Sequence, residues 1–373
     1  MSDYKFYENK LISKIDRFKL QNQEINELKK NFRDSNILLI GAAGSIGKEL
    51  VKKIVEFNFA KFYLVDKNEN ELVELNRFLL YNKNLIKKIE YICSDFCSLN
   101  LSNFLKQHKI SHLLNLAAVK HVRSEENINS IKYMLKTNCI ECLNFKPNKE
   151  LKKVFVISTD KASDPSSIMG LTKKIMEHIL LKKSLRNKSV DFSTIRFGNV
   201  SFSNGSILKL IIDRINQKKN FGIPLNIKRY FITHQESASL CLRAILKKNC
   251  NKVLIPKANI IGKQKDIYEL LLKILKIFNI KIKTKANVIK SKYFNIQLVK
   301  SKIRGQKNYE KFVGTKEVIV NLENDHILDC LEPQKKFNYT KVLEILKNSK
   351  SIDVIIKKTI NTNKLGKKIS QII

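Results

Sequence analysis

Residues 36–50 read NILLIGAAGSIGKEL: a short apolar run from Ile37 to Ile40, glycines at 41, 44 and 47, then the spacing of an amphipathic helix. The apolar run predicts a buried strand. Gly41, Gly44 and Gly47, with Ser45 and Ile46 between them, then form a tight turn that opens the helix. Glycines let the backbone approach a pyrophosphate closely, and the helix amino end favours its negative charge. The segment therefore predicts a dinucleotide site; the competing reading is a plain tight turn.

Further along the chain, short β-rich runs alternate with helical stretches. A helix extends to about Phe57, a strand covers Phe62 to Val65, and a helix starts at Glu69. Further strands follow at Ile89 to Cys93, His112 to Leu116 and Val154 to Ile157. Such alternation predicts an α/β fold with a Rossmann-type, doubly wound parallel sheet. Asp66 ends the second strand about 20 residues after Gly47, where a carboxylate accepts hydrogen bonds from an adenosine ribose diol. That favours NAD, and Lys67 beside it keeps NADP in view. Asp95 reads either as an acceptor for the adenine amino group or as a loop cap. Ala117 and Ala118, after the fourth strand, are small enough to let the cofactor pass.

Four divisions are expected: a helical arm over 1–34, a dinucleotide-binding domain with the catalytic motif over 35–200, a smaller substrate lobe over 201–330 that shares some elements with the core, and a helix with a basic tail over 331–373. The arm reads as one amphipathic helix with Leu11, Ile15, Phe18, Leu20, Ile25 and Leu28 as its apolar positions. Seven cysteines scattered through apolar stretches predict reduced thiols. Cys139 and Cys142 lack partners at zinc spacing, so packing is expected and a metal is not. No apolar run is long enough for a membrane helix and the start lacks a leader's apolar segment, which predicts a cytoplasmic chain without an integral membrane segment. The net charge of +37 raises the possibility of a polyanion partner. Lysines, however, recur in nearly every segment beside many Asn and Ile, the pattern an AT-rich genome gives, and no basic stripe is interleaved with aromatics. A nucleic-acid or membrane-surface binder is therefore not expected.

At the end of the fifth strand stands Ser158-Thr159-Asp160-Lys161, followed on a helix by Met169-x-x-x-Lys173. An adjacent carboxylic acid and amine can act as acid and base in one elimination. An ordinary Asp-Lys surface ion pair is the alternative. Here the sequence resembles the extended short-chain dehydrogenase/reductases, in particular the polysaccharide-biosynthesis nucleotide-sugar dehydratases that include UDP-N-acetylglucosamine 4,6-dehydratase. The matching segments are GAAGSIGKEL, NLAAVKHV, ISTDKASDPSSIMGLTKK, IRFGNVSFSNGSIL, KRYFIT and, loosely, RGQKNYEKF, in the family's order.

The resemblance implies an NAD(P)-dependent lyase, active as a homo-oligomer, that oxidises a sugar at C4, eliminates water across C5–C6 and returns the hydride to C6. It implies Asp160 as the acid for the C6 hydroxyl and Lys161 as the base for the C5 proton. Thr159 and Ser158 would position the C4 hydroxyl, with Asp160 serving as the first base as well, and Lys173 would hold the nicotinamide ribose. The tyrosine that usually precedes this lysine by four residues is Met169, which takes no proton; methionine at this position also occurs in the sugar-dehydratase branch. Lys120 and His121 fall in a segment that lines the sugar pocket of relatives, though His121 reads equally as a loop histidine. Asn199 resembles the asparagine that contacts the diphosphate, and Arg229 is expected to pair with a phosphate. The family's Arg-Pro-Gly-Glu-Lys signature survives only as Arg304-Gly305-Gln306-Lys307, so a UDP-N-acetylhexosamine substrate rests on the resemblance alone. A C4 or C5 epimerase on the same scaffold is the alternative.

Overall fold

Apolar runs covered on both faces build the central sheet. Leu38, Leu39, Phe62, Leu64, Leu113, Leu114, Val154 and Phe155 are completely buried, as parallel strands with helices on either side require. The computed structural model describes residues 3–80, 86–248, 252–300, 305–322, 325–332 and 339–348. Two helices come first, α1 (Asp3–Leu11) and α2 (Asn22–Phe32). The alternation then runs β1 (Asn36–Ile40), α3 (Ser45–Ile54), β2 (Lys61–Asp66), α4 (Glu69–Leu79), β3 (Ile89–Cys93), α5 (Leu101–Gln107) and β4 (His112–Asn115). It continues with α6 (Ile128–Leu135), β5 (Lys153–Ile157), α7 (Ile168–Arg186) and β6 (Asp191–Ile195).

These six strands are parallel in the order β3-β2-β1-β4-β5-β6. The order in which strands are added to the sheet reverses between β1 and β4, and a ligand cleft opens outside the carboxyl ends of strands at such a switch point. The expected Rossmann-type α/β fold is present.

The second half supplies α8 (Ile207–Asn216), β7 (Phe221–Pro224), α9 (His234–Leu246), β8 (Val253–Pro256), α10 (Ile267–Ile277) and β9 (Ile282–Lys285). After them come β10 (Val288–Ser291), β11 (Asn295–Val299), β12 (Val318–Asn321), β13 (Leu328–Glu332) and α11 (Tyr339–Asn348). Strand β8 joins β6 in parallel, and β13 and β12 extend the same sheet antiparallel. The region after residue 200 is thus shared. Only α8, α10 and the sheet β9-β10-β11-β7 make a separate lobe, around Leu208, Ile211, Leu271, Ile274, Ile289 and Ile296. Of the basic tail, residues 349–373 lie outside the described part.

The arm is two helices and not one. Leu11 and Ile12 enter the lobe's core, whereas Phe18, Leu28 and Phe32 enter the main one. The chain must turn between two cores, and Gln21 with Glu24 then caps α2 in a reciprocal capping box. Ile15, expected on the apolar face, is 71% exposed in the turn. Cys139 and Cys142 are buried, their thiols directed at the carbonyls of Leu135 and Asn138 one helical turn back. Among the described residues no helix is long and apolar enough to cross a membrane.

Candidate active site

A cleft of about 390 Å³ opens at the carboxyl ends of β1 to β6. At its floor Gly41 adopts φ +81°, and a Cβ there would sit 2.8 Å from the Ala117 nitrogen. At Gly47 a Cβ would fall 2.1 Å from the Gly41 carbonyl oxygen, closer than atoms can approach. Side chains are excluded at both positions, so the turn stays tight, with its amides bonded to Val65, Asp66 and Gly41, and a pyrophosphate can approach the amino end of α3. Gly44 is the residue that caps α3, and Ser45 and Ile46 follow it along the cleft wall.

Asp66 receives the Ala43 amide on Oδ2 and the Asn68 amide on Oδ1, each at 3.0 Å. That fixes the carboxylate on the wall of the cleft. Asp95 caps a short turn through the Cys97 amide and accepts from the Tyr133 hydroxyl at 3.0 Å, so the loop-cap reading holds while the residue still lines the cleft. Asn115 accepts from the Ala117 amide, while its own amide nitrogen is buried with no hydrogen-bond partner. A glycine floor, a carboxylate on the wall and alanines at 117 and 118 fit an adenine dinucleotide.

Thr159, Lys161, Met169 and Lys173 line the same cleft. The Lys161 ammonium donates to Asp160 Oδ1 at 2.9 Å and to Asn199 Oδ1 at 3.1 Å. The Thr159 hydroxyl donates to that Asp160 oxygen at 3.0 Å. Asp160 is wholly buried, and its Oδ2 has no hydrogen-bond partner. An unmatched buried carboxylate oxygen is costly, so a hydrogen-bond donor brought to it is favoured. Met169 is buried, its amide held by Glu125 at 2.8 Å. The Lys173 ammonium is also buried and donates to the Ile157 carbonyl at 2.9 Å; burial pushes its pKa down. Burial does the same to Lys120. Ser158 reaches the cleft, but its hydroxyl is committed to Glu177.

Arg229 stands apart from the cleft wall. Its guanidinium donates to the carbonyls of Lys228, Lys307 and Asn308 and lies 3.9 Å from Glu310. It clasps the 305–312 segment from within, so a phosphate contact requires that clasp to open. Arg304 falls outside the described residues. Asn199 and His121 do reach the cleft.

Several residues of the site carry no spacing that would single them out in the sequence. Asn138 pins the 117–120 loop through the Val119 amide and carbonyl and donates to Thr172. Glu310 is buried behind Asp160 and Lys161 with one oxygen unpartnered. Burial raises its pKa; the charge of Lys161 opposes that and the charge of Asp160 adds to it. Arg196 joins Glu177 to Glu317 in a buried triad beneath Ser158. Burial would raise the Glu317 carboxyl, but hydrogen bonds and charge from Arg196 hold it below its ordinary value. The loop Ser203–Ser206 completes the wall.

Comparison with known proteins gives the same architecture. An uncharacterized membrane protein of Methanocaldococcus jannaschii, MJ1061, is 31% identical over 356 residues, covering 91% of this chain and 97% of that protein. The Staphylococcus aureus capsular polysaccharide biosynthesis protein CapD is 26% identical over 85% of this chain, which spans 54% of CapD. A Campylobacter jejuni UDP-N-acetylglucosamine 4,6-dehydratase (inverting) is 26% identical over 61% of this chain and 68% of its own.

Among solved structures, Pen from Bacillus thuringiensis superposes with a TM-score of 0.64 at 20% identity, over 82% of this chain and 89% of that one. WbmF from Bordetella bronchiseptica, solved with NAD+ and UDP, gives 0.51 at 17% identity over 67% and 79%. A Methanobrevibacter ruminantium UDP-N-acetylglucosamine 4-epimerase gives 0.55 at 18% identity over 88% and 100%. These three share the fold. The profile of the family described as "Polysaccharide biosynthesis protein" matches residues 37–331, from β1 to β13 and across every segment of the cleft. This chain belongs to that family.

Proposed function

We propose that the protein is a nucleotide-sugar 4,6-dehydratase that uses NAD and converts UDP-N-acetylglucosamine to a UDP-4-keto-6-deoxy-hexosamine. The observation that carries this reading is Lys161, which lines one cleft with the glycine turn and Asn199 and holds the buried Asp160 carboxylate directly behind it. NAD, held by the glycine turn, Asp66 and Lys173, would supply a hydride acceptor for C4 and a donor for C6. Everything else falls to the side chains. Lys173 holds the ribose next to the reacting ring. Asp160 takes the C4 hydroxyl proton as that carbon is oxidised and delivers it to the C6 hydroxyl, which leaves as water. Lys161, as the amine, accepts the C5 proton and returns it to C5 as the hydride reaches C6, and Asn199 and Thr159 fix its approach. Lys120 and His121 face the sugar.

Asp66 hydrogen-bonds the adenosine ribose and disfavours a 2'-phosphate, which is why NAD and not NADP is assigned. The C jejuni dehydratase supports the substrate class, and the solved WbmF complex supports a UDP-bearing ligand. Likeness to 4-epimerases leaves an epimerase as the second reading. Against it stands an acid-base pair suited to C5 and C6, which a simple C4 epimerase has no use for. Product analysis by mass spectrometry and NMR from UDP-, GDP- and dTDP-sugars tests the reading. Loss of one water from UDP-N-acetylglucosamine without net NADH is expected; an epimer with its 6-hydroxyl intact would replace dehydration with epimerisation.

A further inference from the structure

The family match begins at residue 37, so α1 and the turn after it lie outside it. Yet this arm reaches the cleft through a short chain of contacts. Tyr4 stacks on Phe202 with ring centroids 5.3 Å apart and planes 8° apart, and Tyr7 meets the same ring at 5.9 Å. Glu8 is buried and accepts from the Ser201 hydroxyl and from both the amide and ring nitrogen of His234, at 2.9 and 2.8 Å. Phe202 has φ +51°, a left-handed conformation that a bulky residue keeps only when its surroundings enforce it.

The residues directly after Phe202 form the cleft wall. The Asn204 amide donates to the Ser45 hydroxyl at 3.2 Å, tying the loop to the glycine turn. Gly205, at φ +74°, lies so near His121 that a Cβ would come within 2.3 Å of the imidazole. Arg17 anchors the far end of the arm through Glu236 and the carbonyls of Phe231 and Ile261.

We propose that α1 is a strap that holds the 201–206 loop closed between the cofactor turn and the sugar side of the cleft, with Tyr4 and Glu8 as positioning residues. Neither touches a reactant. Tyr4 enforces the Phe202 backbone by stacking, and Glu8 ties down Ser201. The sugar half of this inference rests on the proposed function; the cofactor half does not.

The test uses Tyr4→Ala, Glu8→Ala and Tyr4→Phe, with Lys10→Ala on the exposed face of α1 as control. NADH affinity is read by fluorescence titration, and KM and kcat by turnover of UDP-N-acetylglucosamine. Both alanine variants should weaken NADH binding about 5- to 10-fold, the scale of one lost positioning contact, and raise KM more than they lower kcat. Tyr4→Phe keeps the stack and should restore wild-type NADH affinity. Circular dichroism confirms folding; if Glu8→Ala fails to fold, Glu8→Gln, which keeps an acceptor oxygen for Ser201, is measured and should show a smaller loss in the same direction. Wild-type NADH affinity in folded Tyr4→Ala and in the folded Glu8 variant would overturn the strap. Because NADH binding is measured without the sugar, that outcome is distinct from a failure of the dehydratase reading, in which NADH binding responds and no sugar is converted.

Discussion

At the residue scale, the account depends on two neighbours at the end of β5. Asp160 has a buried oxygen without a partner, and Lys161 bridges it to Asn199. Lys161→Ala removes the base and Asp160→Asn removes the acid, and neither side chain supports the glycine turn. Turnover should fall by about 100-fold or more in each, the scale of general acid-base catalysis. NADH titration should stay within about twofold of wild type. Full turnover in either variant would remove the acid-base assignment. Lys161, like Gly41, Gly47, Asp66 and Lys173, lines the cleft that the sequence points to, because each follows a strand end or opens the helix after one, and Asp160 lies just behind. Glu310, Arg196 and Asn138 were not legible in the sequence. They come from distant segments that meet only in the folded chain, and a buried Glu–Arg–Glu triad leaves no periodic mark. Arg229 shows the converse: its type and neighbours suggest a phosphate ligand, yet three carbonyls of its own chain already occupy the guanidinium.

At the element scale, strands β1, β2 and β4 fell where apolar runs end at glycine, aspartate or asparagine and β5 where one ends at serine, since burial on both faces leaves little choice of residue. The arm was misread as a single helix because its apolar positions serve two cores, and periodicity cannot say where one core stops. Strand β4 carries its own test. His112 is buried beside Phe32, and its pKa is lowered from 6.5 to about 3, first by burial and then by the charges of Lys152 and Lys153. Between those values the unfolded chain binds a proton that the folded chain refuses. Stability from this group is therefore complete above about pH 6.5, falls as pH drops, and stops falling below about 3. The loss by pH 4 should be about 3 kcal/mol, at about 1.4 kcal/mol per unit. Urea unfolding of His112→Asn at pH 4 and pH 7 checks this: the variant's pH dependence should be shallower by that amount, and an unchanged slope would contradict it.

Across the whole molecule, a net charge of +37 first suggests a polyanion partner. The cleft gives a smaller anionic clientele: Lys67, Lys120, Lys161 and Lys173 line it, and most of the remaining excess has no site to serve. The sharing of elements with the core that the sequence predicts after residue 200 takes a definite form. Strands β8, β12 and β13 return to the first sheet across large sequence separations, and only α8, α10 and four strands stand apart.

The central claim is that hydrogen leaves C4 and returns to C6 of one sugar within one cleft. It is tested most directly by incubating the enzyme and NAD with UDP-N-acetylglucosamine deuterated at C4 and locating the label by NMR. Deuterium in the C6 methyl group of a 4-keto product that has lost one water is the predicted result. Deuterium retained at C4 in a sugar that keeps its 6-hydroxyl would contradict the account.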